Sequence, residues 1–289
     1  MEPALCLVIS TVFFYFTVIF FIDQVHRHGL PEMGFLYSQL IKSLPYPTGS
    51  YVGKTIIITG SNVGLGKEAA RHYARMGASR LILAVRNLDA GHDAKHDIED
   101  STGCAPEVIQ VWKIDMASYA SVKKFAARVK DELDRVDIFH ANAGLARNAY
   151  GMAEDNEEMI TVNVVSTFLL AALVLPKLKD TATTFHVRPT LSITTSGTHA
   201  HTTLPQKAAP EGSLFAAIND KSTAQKHWDD QYPISKLLGV FAVRSFAEKH
   251  PADQYPVTIN VVDPGLCHSE CMLKIYYSSV PAILPLRPT

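Results

Sequence analysis

The sequence predicts an α/β fold, a doubly wound parallel sheet, on three observations. From residue 51 onward, short β-branched runs alternate strictly with helix-forming stretches. Such alternation joins parallel strands by right-handed crossovers. A glycine-rich turn stands where the first of those strands meets the first helix, the place where a backbone can cradle an anion. Of 289 residues, 47% are hydrophobic and 19% charged, enough for the core of one large domain. That balance excludes a disordered, collagen-like or coiled-coil chain.

The first element lies ahead of the sheet. Ala4 to Ile22 is an uncharged run of 19 residues. As a helix it would extend about 28 Å, close to the hydrocarbon thickness of a bilayer. A cleaved signal peptide would want a basic start and a small-x-small cleavage site, whereas the run follows Met1-Glu2-Pro3 and ends in Phe-Phe-Ile-Asp-Gln. Residues 1–22 are therefore expected to anchor the chain in a membrane by a single pass. Arg27 and Lys42 follow the span and no basic residue precedes it, which predicts a cytosolic main domain on the endoplasmic reticulum. Residues 23–50, with Pro31, Gly34, Pro45, Pro47 and Gly49, read as a tether.

The domain is expected over residues 51–270. Lys54–Thr59 has the pattern of a strand buried on both faces, followed after the glycine turn by a helix over Lys67–Met76 that closes at Gly77. Arg80–Val85 is the second strand, with a polar helix over Leu88–Asp100. Further strands are predicted at Val108–Ile114, Val136–Phe139, Thr190–Thr194 and Val257–Val262. Helices over Ser118–Leu133, Glu157–Leu178 and Tyr232–His250 stand between them.

Charge and cysteine usage narrow the partners. The 27 basic and 28 acidic residues leave a net charge of −1, which argues against a nucleic-acid partner held by bulk electrostatics. Cys6, Cys104, Cys267 and Cys271 are too few and too irregular for a disulfide scaffold, which favours a reducing compartment. No metal is expected. His92 and His96 lack the glutamate of a helical zinc motif and sit among charged neighbours, as on a solvated face. His199, His201, Cys267 and Cys271 lack complementary ligands at zinc spacings.

Phosphate chemistry is legible in the turn Thr59-Gly60-Ser61-Asn62-Val63-Gly64-Leu65-Gly66. Gly66-Lys67 invites comparison with the P-loop of nucleotide hydrolases. However, Gly60 is one residue too distant and Glu68 stands where a magnesium-binding hydroxyl is required. Dinucleotide binding at a helix N-terminus fits better.

The spacing Thr59-Gly60-x-x-x-Gly64-x-Gly66 resembles the cofactor motif of the short-chain dehydrogenase/reductase family, and four further matches follow in family order. These are Asp115, Asn142-Ala143-Gly144, Tyr232-x-x-x-Lys236 and Pro264-Gly265, spread across more than 200 residues. Within the family the chain is similar to the retinol-dehydrogenase-like branch, especially fungal biosynthetic members. The resemblance implies a Rossmann fold and a nicotinamide cofactor held by Thr59, Gly60, Ser61, Asn62, Gly64, Leu65 and Gly66. Asp115 would contact the adenine, and Asn142, Ala143, Gly144, Tyr232, Lys236, Pro264, Gly265, Leu266 and Ser269 complete the set. Arg86, with no acidic residue until Asp89, points to the 2′-phosphate of NADP(H) rather than the free ribose of NAD.

The chemistry of such a site is carbonyl–alcohol interconversion. Lys236 lies one helical turn after Tyr232, so both project onto one face. A cation there favours the phenolate and makes Tyr232 a usable acid/base near neutral pH. The resemblance places Ser196 at the substrate oxygen as a hydrogen-bond donor, with Thr195 as the alternative and Ser192 pointing elsewhere. It places the backbone carbonyl of Asn163 on a water linked to Lys236.

Two departures stand out. Ser196 and Tyr232 are 36 positions apart, so roughly His199–Gln231 reads as an inserted binding loop or lid. Only 24 residues follow Gly265, and residues 271–289 read as a short atypical tail in which Pro281, Pro285 and Pro288 oppose a seventh strand. The expected function is NADP(H)-dependent oxidoreduction of a lipophilic small molecule in the making of a secondary metabolite, by a membrane-anchored chain for which a homo-oligomer is a candidate assembly. A catalytically weak or regulatory homologue lacking a complete substrate lid is the alternative.

Overall fold

The computed structural model describes residues 45–265 and residue 267. The expected anchor, most of the tether, Leu266, Ser269 and the C-terminal tail lie outside the described residues. So does the segment that bears on a seventh strand. Residues 45–50 are irregular and exposed. All the elements below belong to one compact unit beginning at Thr48.

Six parallel strands form the sheet: β1 (Thr55–Thr59), β2 (Arg80–Val85), β3 (Ile109–Lys113), β4 (Ile138–Ala141), β5 (Thr190–Thr194) and β6 (Thr258–Val262). Their order is β3-β2-β1-β4-β5-β6, so the winding reverses between β1 and β4. The registers place Ile57 beside Ile82 on one side and Phe139 on the other. This is a Rossmann-type sheet.

The strand sequences show why both faces are covered. Side chains alternate across a strand, and here both alternate sets are apolar. Ile56, Ile58, Leu81 and Leu83 point to one face, where they pack with Ala70, Ala74, Ala94 and Ile98 of the helices α1 (Gly64–Arg75) and α2 (Leu88–Thr102). Ile57, Ile82 and Phe139 point to the other, against Val122 and Phe125 of α3 (Tyr119–Glu132) and Leu170, Val174 and Leu178 of α4 (Thr167–Phe185). Each such buried aliphatic contributes about 1.5–3 kcal/mol relative to exposure.

Three elements differ from the sequence expectation. The helix expected over Glu157–Leu178 begins as a short α-turn at Glu158–Ile160, passes through a π-helical turn at Thr161–Ser166, and only then becomes α4. Its 28 residues, Glu158–Phe185, are apolar and long enough to cross a membrane, yet 61% of the apolar window is buried inside the domain. The stretch His199–Gln231, expected as a loop, is largely helical. It contains 3-10 turns at Gly197–His201 and Pro205–Ala208, then α5 (Leu214–Asn219) and α6 (Lys221–Lys226). Asp220 caps α6 by accepting from the N–H of Thr223; the Ser222 hydroxyl first, and then that N–H, hold its carboxyl down at a pKa of about 2. Finally α7 (Trp228–Lys249) starts four residues before Tyr232 and carries Pro233 inside it.

Candidate active site

A cleft of about 410 Å³ opens at the carboxyl ends of the strands, where the winding reverses. Open α/β sheets bind ligands at that switch point.

Its floor is the glycine turn. The Thr59 hydroxyl oxygen accepts from the N–H groups of Asn142 (3.0 Å) and Ala143 (2.9 Å). The Asn142 amide donates to the carbonyls of Thr59 (3.0 Å) and Gly60 (3.2 Å). Four hydrogen bonds therefore fasten the end of β1 to the end of β4. Gly60 has φ 65°, and a Cβ there would stand 2.9 Å from the Ala143 Cα. A Cβ on Gly66 would stand 2.5 Å from the Gly60 oxygen. Only glycine closes this turn.

The expected cofactor residues divide into two sets. Gly60, Asn62, Gly64 and Leu65 line the cleft. Thr59 and Ser61 build the turn from beneath: both are fully buried, and the Ser61 hydroxyl donates to the Ile58 carbonyl at 2.9 Å. Ser61 is thus spent on the turn and not presented to a phosphate. Among the described residues, no side chain caps the start of α1, which leaves the N-terminal dipole to a ligand.

At the end of β2, Arg86 is exposed on the cleft wall, and the Lys113 ammonium donates to its carbonyl. No carboxylate pairs with its guanidinium among the described residues. Asn87 beside it caps α2. Asp115 also lines the wall, and its carboxylate is oriented by the Ala117 N–H at 3.0 Å. Gly144, Pro264, Gly265 and Cys267 complete the far wall.

The acid/base candidates converge here. Tyr232 and Lys236 both line the cleft from α7, with the Lys236 ammonium 5.5 Å from the centre of the Tyr232 ring. Lys236 as a residue is buried, at 7% exposure, and its ammonium donates to the Thr194 carbonyl at 3.2 Å. Asn163 sits in the π turn, where its side chain clamps Leu145: Oδ1 accepts from the Leu145 N–H and Nδ2 donates to the Leu145 carbonyl, both at 2.8 Å. The same Nδ2 reaches the Ser235 hydroxyl at 3.0 Å, which in turn donates to the Tyr232 carbonyl at 2.7 Å. A Cβ on Gly144 would come within 3.2 Å of Asn163 Oδ1 and 3.3 Å of the Lys236 ammonium.

Of the two hydroxyls after β5, Thr195 is tied to the sheet. Its N–H and hydroxyl both donate to the Val262 carbonyl, at 2.8 and 3.3 Å. Ser196 opens the following 3-10 turn, and its oxygen accepts from the Thr198 hydroxyl at 3.0 Å while it lines the cleft. Ser192, buried within β5, does not line the cleft. His140, nearby on β4, is held below its ordinary pKa by burial and so stays neutral around pH 7.

Sequence reasoning missed the supporting residues. Thr194 serves through a backbone carbonyl, which no side-chain pattern reveals. Ser235 lay inside the Tyr-x-x-x-Lys spacing without a signal of its own. Asp263 lies beside Gly197, where a Cβ would stand 2.7 Å from its carboxylate, so that position has room only for glycine.

Comparison with known proteins follows this geometry. Residues 54–185 match the family model described as short chain dehydrogenase. The chain is 72% identical over 238 residues to the short chain dehydrogenase/reductase dmxR8 of Cryptosporiopsis sp., covering 82% of this chain and 74% of that one. It is 38% identical over 259 residues to the short-chain dehydrogenase anuD of Penicillium roqueforti, covering 88% and 66% respectively. In fold it is similar to a short chain dehydrogenase of Shigella flexneri solved with NADP, at TM-score 0.54 and 24% identity, covering 74% of this chain and 77% of that one.

Proposed function

The chain belongs to the short-chain dehydrogenase/reductase family, and on that premise we propose that it interconverts a carbonyl and an alcohol on a lipophilic small molecule with NADP(H). The observation that carries the reading is the convergence of Ser196, Tyr232 and Lys236 with the glycine turn in one cleft. The cleft suits a dinucleotide. The turn at Gly60 and Gly66 has no space for side chains, so backbone can approach a pyrophosphate closely. Arg86 offers a cation with no carboxylate partner among the described residues, which suits a 2′-phosphate better than a ribose hydroxyl. The NADP bound by the Shigella protein supports the same choice.

When bound, NADPH supplies the hydride. The chain's own residues manage the oxygen and the proton. In this reading Ser196 donates a hydrogen bond to the carbonyl oxygen, where negative charge develops. Tyr232 gives that oxygen its proton. Lys236, desolvated and pinned by Thr194, favours the phenolate left behind. Asn163 holds Leu145 and, through Ser235, the carbonyl of Tyr232, so the acid and the cleft wall keep a fixed separation. The uncharged run over residues 4–22 supports attachment to a membrane, where a lipophilic substrate would be concentrated.

Isatin with NADPH is a suitable generic test. Tyr232→Phe should abolish reduction while NADPH affinity, read by fluorescence titration, stays nearly unchanged, because only the proton donor is lost. A Tyr232→Phe protein that reduces isatin at the parent rate would sink the assignment.

A further inference from the structure

The two helices that bring Asn163 and Tyr232 together are joined at a second polar contact, away from the chemistry. Glu157 is fully buried. One of its carboxylate oxygens accepts from the Met159 N–H at 3.0 Å. The other accepts from the Ile160 N–H at 3.2 Å and from the side-chain amide of Gln231 at 3.2 Å. Gln231, also fully buried, gives its amide to the Ile218 carbonyl at 3.1 Å as well. The N–H of Glu157 donates to the Asn219 side chain at 2.8 Å. The turn leading to Asn163 and the residue preceding Tyr232 thus meet at one carboxylate, and the end of α5 is tied to both through the Gln231 amide and the Glu157 backbone N–H.

The charged surroundings make this an odd device for stability. Among the described residues no cation pairs with Glu157. Arg147 is engaged bidentately by Glu158, at 2.6 and 2.8 Å. Asp220 is turned to Ser222 and Thr223, and the Tyr150 hydroxyl donates to the Asn219 carbonyl. Burial pushes the Glu157 carboxyl up, against the N–H donors that lower it. A buried carboxylate without a cation costs more than an apolar side chain of similar volume. What it supplies instead is direction, because three donors from two helices must converge on two oxygens.

We infer that Glu157 and Gln231 are positioning residues: their contact sets the start of α7, and hence Tyr232, relative to the turn that carries Asn163. The inserted segment therefore acts as a strut behind the acid/base pair, through Ile218 and Asn219, and not only as a cover. This rests on the reading of Tyr232 as the proton donor.

The test uses the full chain and three variants. Gln231→Leu removes the contact at nearly constant volume. Gln231→Glu replaces the donor by a group that donates only when protonated. Glu157→Gln turns an NH₂ toward N–H donors, which it cannot satisfy. The tyrosinate absorbance of Tyr232, taken as the difference between each protein and its Tyr232→Phe counterpart, is read against pH. It needs neither substrate nor cofactor. The pH profile of isatin reduction and the NADPH affinity are measured alongside, with thermal melting to score folding.

In Gln231→Leu, loosening Tyr232 from Lys236 by about 2 Å should raise the tyrosinate midpoint by about one unit. Turnover near neutrality should fall about tenfold with it, and NADPH affinity should hold. Gln231→Glu should approach the parent at acid pH and lose turnover as its carboxyl ionises against Glu157. Parent-like titration and pH profiles in folded Gln231 variants would overturn the inference, as would losses that only follow the folded fraction. If Glu157→Gln fails to fold, the two Gln231 variants still decide. Failure of the parent to reduce isatin would strike the functional reading alone, because the tyrosinate measurement stands apart from it.

Discussion

The half of the domain built on β1, β2 and β3 differs in kind from the half built on β4, β5 and α7. In the first, Ile56, Ile58, Leu81, Leu83 and Val85 meet the alanines of α1 and α2, and the fully buried hydroxyls of Thr59 and Ser61 serve the glycine turn. In the second, Glu157, Thr161, Asn163, Ser166, Gln231, Ser235 and Lys236 are all buried. One half presents the backbone of the glycine turn, with Arg86 beside it, on a base of apolar packing that the Thr59 and Asn142 hydrogen bonds fasten to β4. The other must aim side chains, and hydrogen bonds supply the angles that packing leaves open. The cost is sensitivity, since each buried polar group depends on its partner.

That contrast can be broken by mutation. Leu83→Ala, in the first half, should lower unfolding free energy by about 2–5 kcal/mol in chemical denaturation. The protein that remains folded should turn over at the parent rate. A selective loss of turnover would show the halves to be coupled. Arg86→Asp should leave melting unchanged and weaken NADPH by about 1.5–3 kcal/mol before repulsion is counted, with NADH much less affected. Equal affinity of the parent for both cofactors would remove Arg86 from the site.

Asn163→Ala, in the second half, leaves the half-buried N–H and carbonyl of Leu145 without their partner. Stability should fall by about 1–3 kcal/mol, and turnover should fall further than the folded fraction does. Turnover tracking the folded fraction would reduce Asn163 to structure.

The smallest effect belongs to Asp97 on α2, which receives Lys67 at 2.7 Å and Arg71 at 2.5 Å from α1. Those two cations hold its carboxyl down at a pKa of about 2. A depressed carboxyl contributes stability above its unfolded pKa, near 3.9, and loses it as pH falls through the folded value. Because the side chain is half exposed, Asp97→Asn should cost under about 1 kcal/mol at pH 7 and nothing below about pH 2. The difference should shrink in salt.

The same divide governs what the sequence made legible. Every strand of the sheet was readable, because β-branched runs such as Thr55–Thr59 and Arg80–Val85 carry their burial in their composition. The glycine turn, Tyr232 and Lys236 were readable from spacing. The helices α5 and α6 were not, since six residues are too few to display a helical period, although Asp220 followed by Thr223 was a usable capping signal. Glu157 and Gln231 were invisible for another reason. They are 74 positions apart, and a polar pair acquires meaning only once the fold brings it together.

The π turn at Thr161–Ser166 has a consequence for how one helix serves two neighbours. Ile160 and Val164 pack with Ile218, Ile234 and Leu238, whereas Leu170, Val174 and Leu178 pack against the sheet. At about 100° per residue even a continuous α-helix would set Leu170 about 240° from Val164, so the two sets belong to different faces and the π turn adjusts the angle between them. The wider turn adds a residue, which advances the phase of everything after it by about 100°. It works as a gear tooth between two meshes that point in different directions. Deleting one residue here would rotate one mesh out of engagement while the helix itself remained whole.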